Sequence, residues 1–395
     1  MIDVEGLRAQ FPALAGEQVY LDGPAGTQVP QRVIDAISGA LTTAMSNVGG
    51  PFPSSRRSQD AVEAARRAGA DLVGGSNEEI VFGPNMTSLT FSVSRALSES
   101  WTAGDKIVLS GLDHDANVTT WVRAAQARDV EIAFADVKPD ATLDLDHLRS
   151  LIDGRTRLVA VTACSNAFGS LVDVEQVVAA AREVGALVFV DAVHLAPHRL
   201  VDVPKLGCDF LVCSSYKFFG PHLGMLWGRA HLLTDLPAFK VRPAPEAGPA
   251  RWETGTPSFE LLAGFTAAVD YLASIGRGND RRSRLEAAFA EIGEHEGTLG
   301  DRFLSGLPER AQVVGPQSMA GRVPTFSIDV DGLAAPEVAS ALGQRGIATW
   351  AGNFYAVEPM RRLGYDDRGG LTRIGFLHVN TTDEVDTVLE ALTVL

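Results

Sequence analysis

Cysteine is scarce in this chain: three among 395 residues, Cys164, Cys208 and Cys213. So odd and sparse a set argues against a disulfide scaffold and for a reducing, cytoplasmic setting. Basic residues are also in deficit, with 34 Lys and Arg against 49 Asp and Glu and a formal net charge of −15. No basic block interrupts that deficit, so nucleic-acid and anionic-membrane partners are disfavoured, since both need a Lys/Arg footprint. Long apolar runs are missing too. The stretches present are strand-sized and broken by polar residues, which leaves nothing to span a bilayer. The first residues, Met1-Ile2-Asp3-Val4-Glu5, are acidic and lack an apolar signal core.

What the chain does contain is a regular alternation from about residue 78 to residue 230. Strand-like runs are expected at Glu79–Phe82, Lys106–Ser110, Val130–Ala135, Leu158–Thr162, Leu187–Asp191, Phe210–Cys213 and Met225–Trp227. Helical stretches such as Ser88–Leu97 and Val172–Val184 fall between them. The pattern predicts an α/β domain with a largely parallel seven-stranded sheet covered on both faces. A Pro/Gly/Ala-rich connector, Pro237–Pro257, precedes an apolar helix near Phe259–Ile275 and a charged helix over Asp280–Leu304. The rhythm then changes: strand Thr325–Val330, helix Ala335–Arg345, strand Thr372–Leu377, and a final helix opened by the capping box Thr381-x-x-Glu384. This predicts a large domain over residues 18–260. A smaller α+β domain is expected from residues 261–395 together with the N-terminal residues 1–17.

Lys217 follows the run Asp209-Phe210-Leu211-Val212, and Asp191 ends the run Ala186-Leu187-Val188-Phe189-Val190. Reactive groups of such sheets gather beyond the carboxyl ends of the strands, where both residues fall. A lysine and a carboxylate so placed fit an enzyme of pyridoxal 5′-phosphate (PLP). The lysine would hold the cofactor as a Schiff base, and the acid would keep the pyridine nitrogen protonated. The competing account is a solvated loop lysine and a helix-capping aspartate.

Gly83-Pro84-Asn85-Met86-Thr87-Ser88 follows a strand and opens a helix, so the amides of Met86 and Thr87 and the Thr87 hydroxyl could meet a phosphate. An ordinary Asn85 cap explains the same residues. Ser214 and Tyr216 could add hydroxyl donors. His114, in Asp113-His114-Asp115, could stack on the pyridine ring, with Val193 against the other face; a capping histidine is the alternative. Asn166 and His194 are placed to reach the phenolic oxygen, and Asn166 also a substrate carboxylate. Asp191, His194 and His198 suggest a metal set, but Pro197 breaks the helical spacing and no fourth ligand is evident, so no metal is expected. Arg373, among apolar neighbours in a strand, needs an anion: a substrate carboxylate or a structural salt bridge. Arg56 and Arg57, in the loop expected over Gly49–Ser58, are further anion candidates.

In order along the chain, these segments resemble the class V aminotransferase family of fold-type I PLP enzymes, and within it the cysteine desulfurase-like group. Tyr20-Leu21-Asp22-Gly23-Pro24-Ala25-Gly26-Thr27 is similar to the family's Tyr-Leu-Asp-Asn-Ala-Ala-Thr loop, which implies that Ala25 and Gly26 border the substrate carboxylate. Asp113-His114 stands for Glu-His, Ser165-Asn166 for Ser-Asn, and Asp191-Ala192-Val193-His194 for Asp-Gly-Ala-Gln. Ser214-Ser215-Tyr216-Lys217 stands for Ser-Gly-His-Lys, and Arg373 falls on the substrate-carboxylate arginine. Glu253-Thr254-Gly255-Thr256-Pro257 resembles Glu-x-Gly-Thr-Pro, whose threonine reaches the neighbouring subunit's phosphate. That match implies a homodimer with shared active sites.

The resemblance fails at one place. Desulfurases carry a nucleophilic cysteine on a C-terminal loop, whereas here the similar stretch reads Trp350-Ala351-Gly352-Asn353-Phe354-Tyr355-Ala356. Tyr355 takes the cysteine's place, and none of the three cysteines lies in the small domain. The expected activity is therefore a carbon–sulfur β-lyase acting on cysteine or a cysteine S-conjugate through an external aldimine, giving thiol, pyruvate and ammonia. Phe354, Tyr355 and Trp350 would wall the side-chain pocket, with simple packing as the alternative. A transaminase, epimerase or decarboxylating deaminase of an amino acid, as in natural-product pathways, is the alternative reading.

Overall fold

Strand residues of the large domain divide by parity between two apolar layers, and that division explains the architecture. The computed structural model describes residues 2–395. Its central sheet holds Ile80–Gly83 (β1), Lys106–Ser110 (β2), Glu131–Ala135 (β3), Thr156–Thr162 (β4), Leu187–Asp191 (β5), Phe210–Ser214 (β6) and Gly224–Gly228 (β7). In β5, Phe189 joins one core with Phe210, Leu158, Ile107 and Trp121, beneath helices Met86–Ser98 and Thr119–Gln126. Its neighbours Val188 and Val190 point into the other, with Val159, Val161, Leu211 and Phe265. Burial on both faces is why these strands read as nearly continuous apolar runs.

The strand order is β1-β7-β6-β5-β4-β2-β3. The pairs β2–β3, β2–β4, β4–β5 and β5–β6 are parallel, while β7 runs antiparallel to both β6 and β1. A parallel return needs a crossover of a dozen or more residues. The short link between Ser214 and Gly224 cannot supply one, so the chain turns back on itself, and Lys217 sits in that turn.

The smaller sheet holds Ala311–Val314 (β8), Thr325–Val330 (β9), Trp350–Gly352 (β10) and Leu371–Gly375 (β11), antiparallel in the order β10-β11-β9-β8. Phe326, Ile328 and Ile374 pack against Leu299, Phe303, Leu342, Val385 and Val388 of its helices. The expected capping box is formed: Thr381 Oγ1 accepts from Glu384 N at 3.2 Å and Glu384 Oε2 accepts from Thr381 N at 3.0 Å. The N-terminal segment runs alongside this domain. Arg8 donates to Val379 O at 2.7 Å and pairs with Glu384 at 3.0 Å, and Val19–Tyr20 pairs in parallel with Ile347–Ala348.

Two expectations need correction. The loop expected to reach Ser58 ends at Pro53, where a proline at the first helical position opens helix Pro53–Val73. Arg56 and Arg57 therefore lie on a helix and donate to the carbonyls of Pro51 (3.0 Å) and Thr43 (2.6 Å), outside the site described below. A domain division after residue 260 would cut helix Phe259–Ile275, whose Leu262, Phe265 and Val269 pack into the large-domain core.

Arg322 ties the two domains together. It is fully buried, donates to Phe168 O at 2.9 Å, to Thr325 O at 2.6 Å and to Pro316 O, and lies 4.2 Å over the Phe326 ring. Burial lowers its pKa to about 10, which leaves it charged at neutral pH. Arg322→Ala is expected to strand three buried carbonyls and destabilise the fold by about 3 kcal/mol. A urea unfolding midpoint that falls at unchanged slope is the measurement that checks it.

Candidate active site

The carboxyl ends of β4, β5 and β6, the start of helix Met86–Ser98 and the loop after β10 surround a cavity of 580 Å³. Asp191, the last residue of β5, lies at its floor, with Oδ1 accepting from Val193 N at 2.9 Å. Burial pushes its carboxyl up to about 6, against the pull of the Val193 amide and the Lys217 charge. A protonated ring nitrogen is the cation that such a carboxylate would hold. Asp113 stands behind it, accepting from Thr162 N at 3.0 Å and Asn117 Nδ2 at 2.6 Å. Complete burial and the nearby Asp191 push Asp113 up to about 8, so negative charge at the floor concentrates on Asp191.

Lys217 ends a single 3-10 turn, Ser215–Lys217, in the link between β6 and β7. Its Nζ donates to Pro24 O at 2.5 Å and lies 4.8 Å over the Tyr216 ring. Burial, then the charge of Arg373, lowers its pKa to about 7; Asp191 and Asp22 act in the opposite direction. A large fraction of this amine is neutral at physiological pH. That is the form able to form an imine or take a proton.

The start of helix Met86–Ser98 faces the same cavity. Asn85 does cap it, accepting from Ser88 N at 2.9 Å, while Met86 N donates to Ser214 Oγ at 3.1 Å. Thr87 in the first turn, Ser214 and Tyr216 line the wall beside it. A Cβ on Gly224 would lie 2.3 Å from the carbonyl carbon of Asn85, so only glycine lets β7 abut this helix start. Donors at a helix N-terminus suit a phosphate dianion.

His114 takes its place above the floor. Its Nδ1 accepts from Ala116 N at 3.0 Å, which leaves the proton on Nε2, and burial lowers its pKa to about 4. The result is a flat, neutral ring, stacked at 5.5 Å and 19° on Tyr355. Val193 also lines the cavity. His194 contacts Thr325 Oγ1 through Nε2 at 3.0 Å, and burial holds its pKa well below the ordinary value. Asn166 Nδ2 donates to Phe354 O at 2.9 Å, while its buried Oδ1 has no partner. Arg373 donates to Asn166 O at 2.8 Å and lies 4.3 Å over the Phe354 ring. No carboxylate bridges it among the described residues. An unpartnered Asn166 oxygen, a floor carboxylate lacking a cation and an arginine lacking an anion all fit PLP and an amino-acid substrate.

Not every expected residue is gathered here. Ala25 lines the cavity, but Gly26 lies behind Tyr216, where an added Cβ would come within 3.3 Å of the ring. Thr256 lies outside the cavity on the exposed segment after Glu253, which anchors to Arg66 at 2.7 Å and Phe82 N at 2.9 Å. His198 pairs with Glu296 at 2.9 Å. Asp113 and Asp22 stood inside quoted motifs without an assigned role. Thr325, the first residue of β9, gave no local signal at all.

The thiols are withdrawn from this chemistry. Cys164 borders the cavity, but it is fully buried and its Sγ is directed to Gly169 O at 3.4 Å. Burial raises all three thiols, Cys208 to about 12 and the other two further. Strand β10 presents Trp350, 54% exposed, and the loop after it presents Tyr355, 71% exposed. Phe354 and Tyr355 both adopt left-handed backbone, with φ of 56° and 58°.

A family model, Aminotransferase class-V, matches residues 19–388. The probable cysteine desulfurase 2 of Mycobacterium leprae is 32% identical over 98% of this chain and 95% of its own. The apo structure of the cysteine desulfurase from Thermococcus onnurineus superposes with a TM-score of 0.91 at 28% identity, covering 100% of this chain and 98% of that one. C-DES, solved with glycine covalently linked to PLP, shares the fold at a TM-score of 0.83 and 19% identity, over 98% of each chain. This chain belongs to the class-V aminotransferase family and is a PLP-dependent enzyme with the cysteine desulfurase fold.

Proposed function

We propose that this enzyme is a carbon–sulfur β-lyase that releases thiol, pyruvate and ammonia from cysteine or a cysteine S-conjugate. One observation carries the reading: the loop position where a desulfurase holds its sulfur acceptor is Tyr355, and every thiol in the chain is buried with a raised pKa. A persulfide relay needs an accessible thiolate. β-Elimination needs none.

Bound PLP supplies an electron sink for the pair left at the substrate α-carbon. Lys217 carries the cofactor at rest, and once displaced its neutral amine takes the α-proton. Arg373 would hold the substrate carboxylate bidentately beside Asn166, fixing the Cα–H bond toward Lys217. Asp191 would keep the pyridine nitrogen protonated, His114 and Val193 would enclose the ring, and Asn166 and His194 would reach the phenolic oxygen. Met86, Thr87, Ser214 and Tyr216 would bind the phosphate. The Cβ–Sγ bond would break with the leaving thiolate taking the proton that Lys217 accepted, which frees the amine, and the released three-carbon enamine would add water to give pyruvate and ammonia. Phe354, Tyr355 and Trp350 would wall the sulfur substituent, and Ala25 would border the carboxylate. Thr256 is proposed to serve the phosphate of a second copy in a homodimer, in keeping with its exposure away from this chain's own cavity.

Incubation with cysteine or with bulky cysteine thioethers is expected to yield sulfide or thiol, respectively, in equal amount to pyruvate without added keto acid, and to leave no persulfide on the protein. Turnover that depends on a keto acid would overturn the reading in favour of transamination. Lys217→Ala should abolish turnover, read as loss of more than about a thousandfold in kcat. Because burial depresses the Lys217 pKa, the base is active above about pH 7 and becomes protonated below it. A pH–rate profile should therefore show kcat falling about tenfold per unit on the acid side.

A further inference from the structure

The turn that carries Lys217 is held from outside by one residue with no role in the chemistry described above. Thr27 N donates to Tyr216 O at 3.0 Å, and Thr27 Oγ1 donates to the same carbonyl at 3.1 Å. The same hydroxyl accepts from Phe219 N at 2.7 Å. Tyr216 and Phe219 flank Lys217, so a single hydroxyl spans the backbone on both sides of the lysine. Donor and acceptor capacity are both used, as one hydroxyl permits.

The span closes a conformation that resists closing. Phe219 is fully buried and has φ of 69°, a left-handed backbone that a bulky L-residue adopts at a cost. Its ring meets Phe11, Tyr271 and His378 edge-on at 5.7, 5.6 and 4.7 Å, which opposes relaxation of the side chain. Inside the turn, Ser215 O accepts from Phe218 N and Gly220 N, both at 2.9 Å, and Ser215 N donates to Leu223 O at 2.8 Å, but none of these bonds reaches the amide of Phe219 or the carbonyl of Tyr216. The loop that supplies Thr27 also supplies Pro24 O, the acceptor of the lysine amine. Thr27 thus fixes the distance between the lysine's backbone and the partner of its Nζ.

We propose that Thr27 is a positioning residue, which clamps the left-handed turn at Phe219 and so holds the Lys217 amine in register with the floor carboxylate. Valine has the shape of threonine without either hydrogen-bonding function, and serine keeps both. In full-length, PLP-loaded Thr27→Val, kcat with any amino acid turned over is expected to fall about tenfold or more, since both hydrogen bonds of the hydroxyl are lost. KM should stay within about twofold, because Arg373 and Asn166 are untouched.

The visible absorbance of the resting lysine–cofactor link should shift its pH midpoint by about half a unit or more, a change that altered packing alone would not produce. Thr27→Ser should return kcat to within about threefold and restore the midpoint. Wild-type kcat and midpoint in Thr27→Val would overturn the proposal, and so would lost activity with an unmoved midpoint or a rise confined to KM. Should valine prevent folding, judged by the unfolding midpoint, Thr27→Ala is read by the same outcomes. The absorbance measurement needs no substrate, so it is independent of which leaving group the enzyme accepts.

Discussion

Desolvation of the Lys217 amine is the constraint on which the rest of this site depends. An ammonium withdrawn from water beside the guanidinium of Arg373 gives up its proton readily, and only Asp191 and Asp22 oppose that loss. The surroundings follow the same rule. His114 and His194 are held neutral by burial, and Asp113 is raised until it no longer competes with Asp191 for a cation. What remains is a pocket whose unmet needs are specific: a cation above Asp191, an anion at Arg373, an anion at the start of helix Met86–Ser98. A phosphorylated pyridine and an amino-acid carboxylate meet all three.

The topology delivers these groups to one place. Six strands run in one direction and end at the same edge, which brings Asn166, Asp191 and Ser214 together from distant parts of the chain. The single reversal at β7 supplies the short turn for Lys217, and Gly224 lets that strand press against Asn85. The small domain closes the site through hydrogen bonds to the large one. Arg322 holds the Thr325 carbonyl, Thr325 meets His194, and Arg373 meets the Asn166 carbonyl. Domain packing and the cofactor pocket therefore share hydrogen bonds, and a fault at one is felt at the other.

The loop after β10 is tied to the large domain through its backbone. Its carbonyls are engaged by Asn166 and Asp115, and two successive left-handed residues shape it. Backbone of that kind persists only where neighbours over-determine it. Here it fixes an aromatic mouth formed by Phe354 and Tyr355.

The sequence by itself determined the alternation of strands and helices, the position of Lys217 and Asp191 beyond strand ends, and the lack of a thiol in the small domain. These are local features: a period of two, a period of about three and a half, and residue types at motif spacing. It also determined the capping box at Thr381, because the two side chains that satisfy it lie within one turn. Only the tertiary structure decided that Thr27 spans the lysine turn, that Arg322 and Thr325 reach across the domains, and that helix Phe259–Ile275 packs on the large sheet. Those contacts join residues distant in the chain, Thr27 and Tyr216 by 189 positions, and nothing in the neighbouring sequence marks them. The same holds for electrostatics: a lysine reads alike in any loop, and the water removed around it by folding is what lowers the pKa of this one.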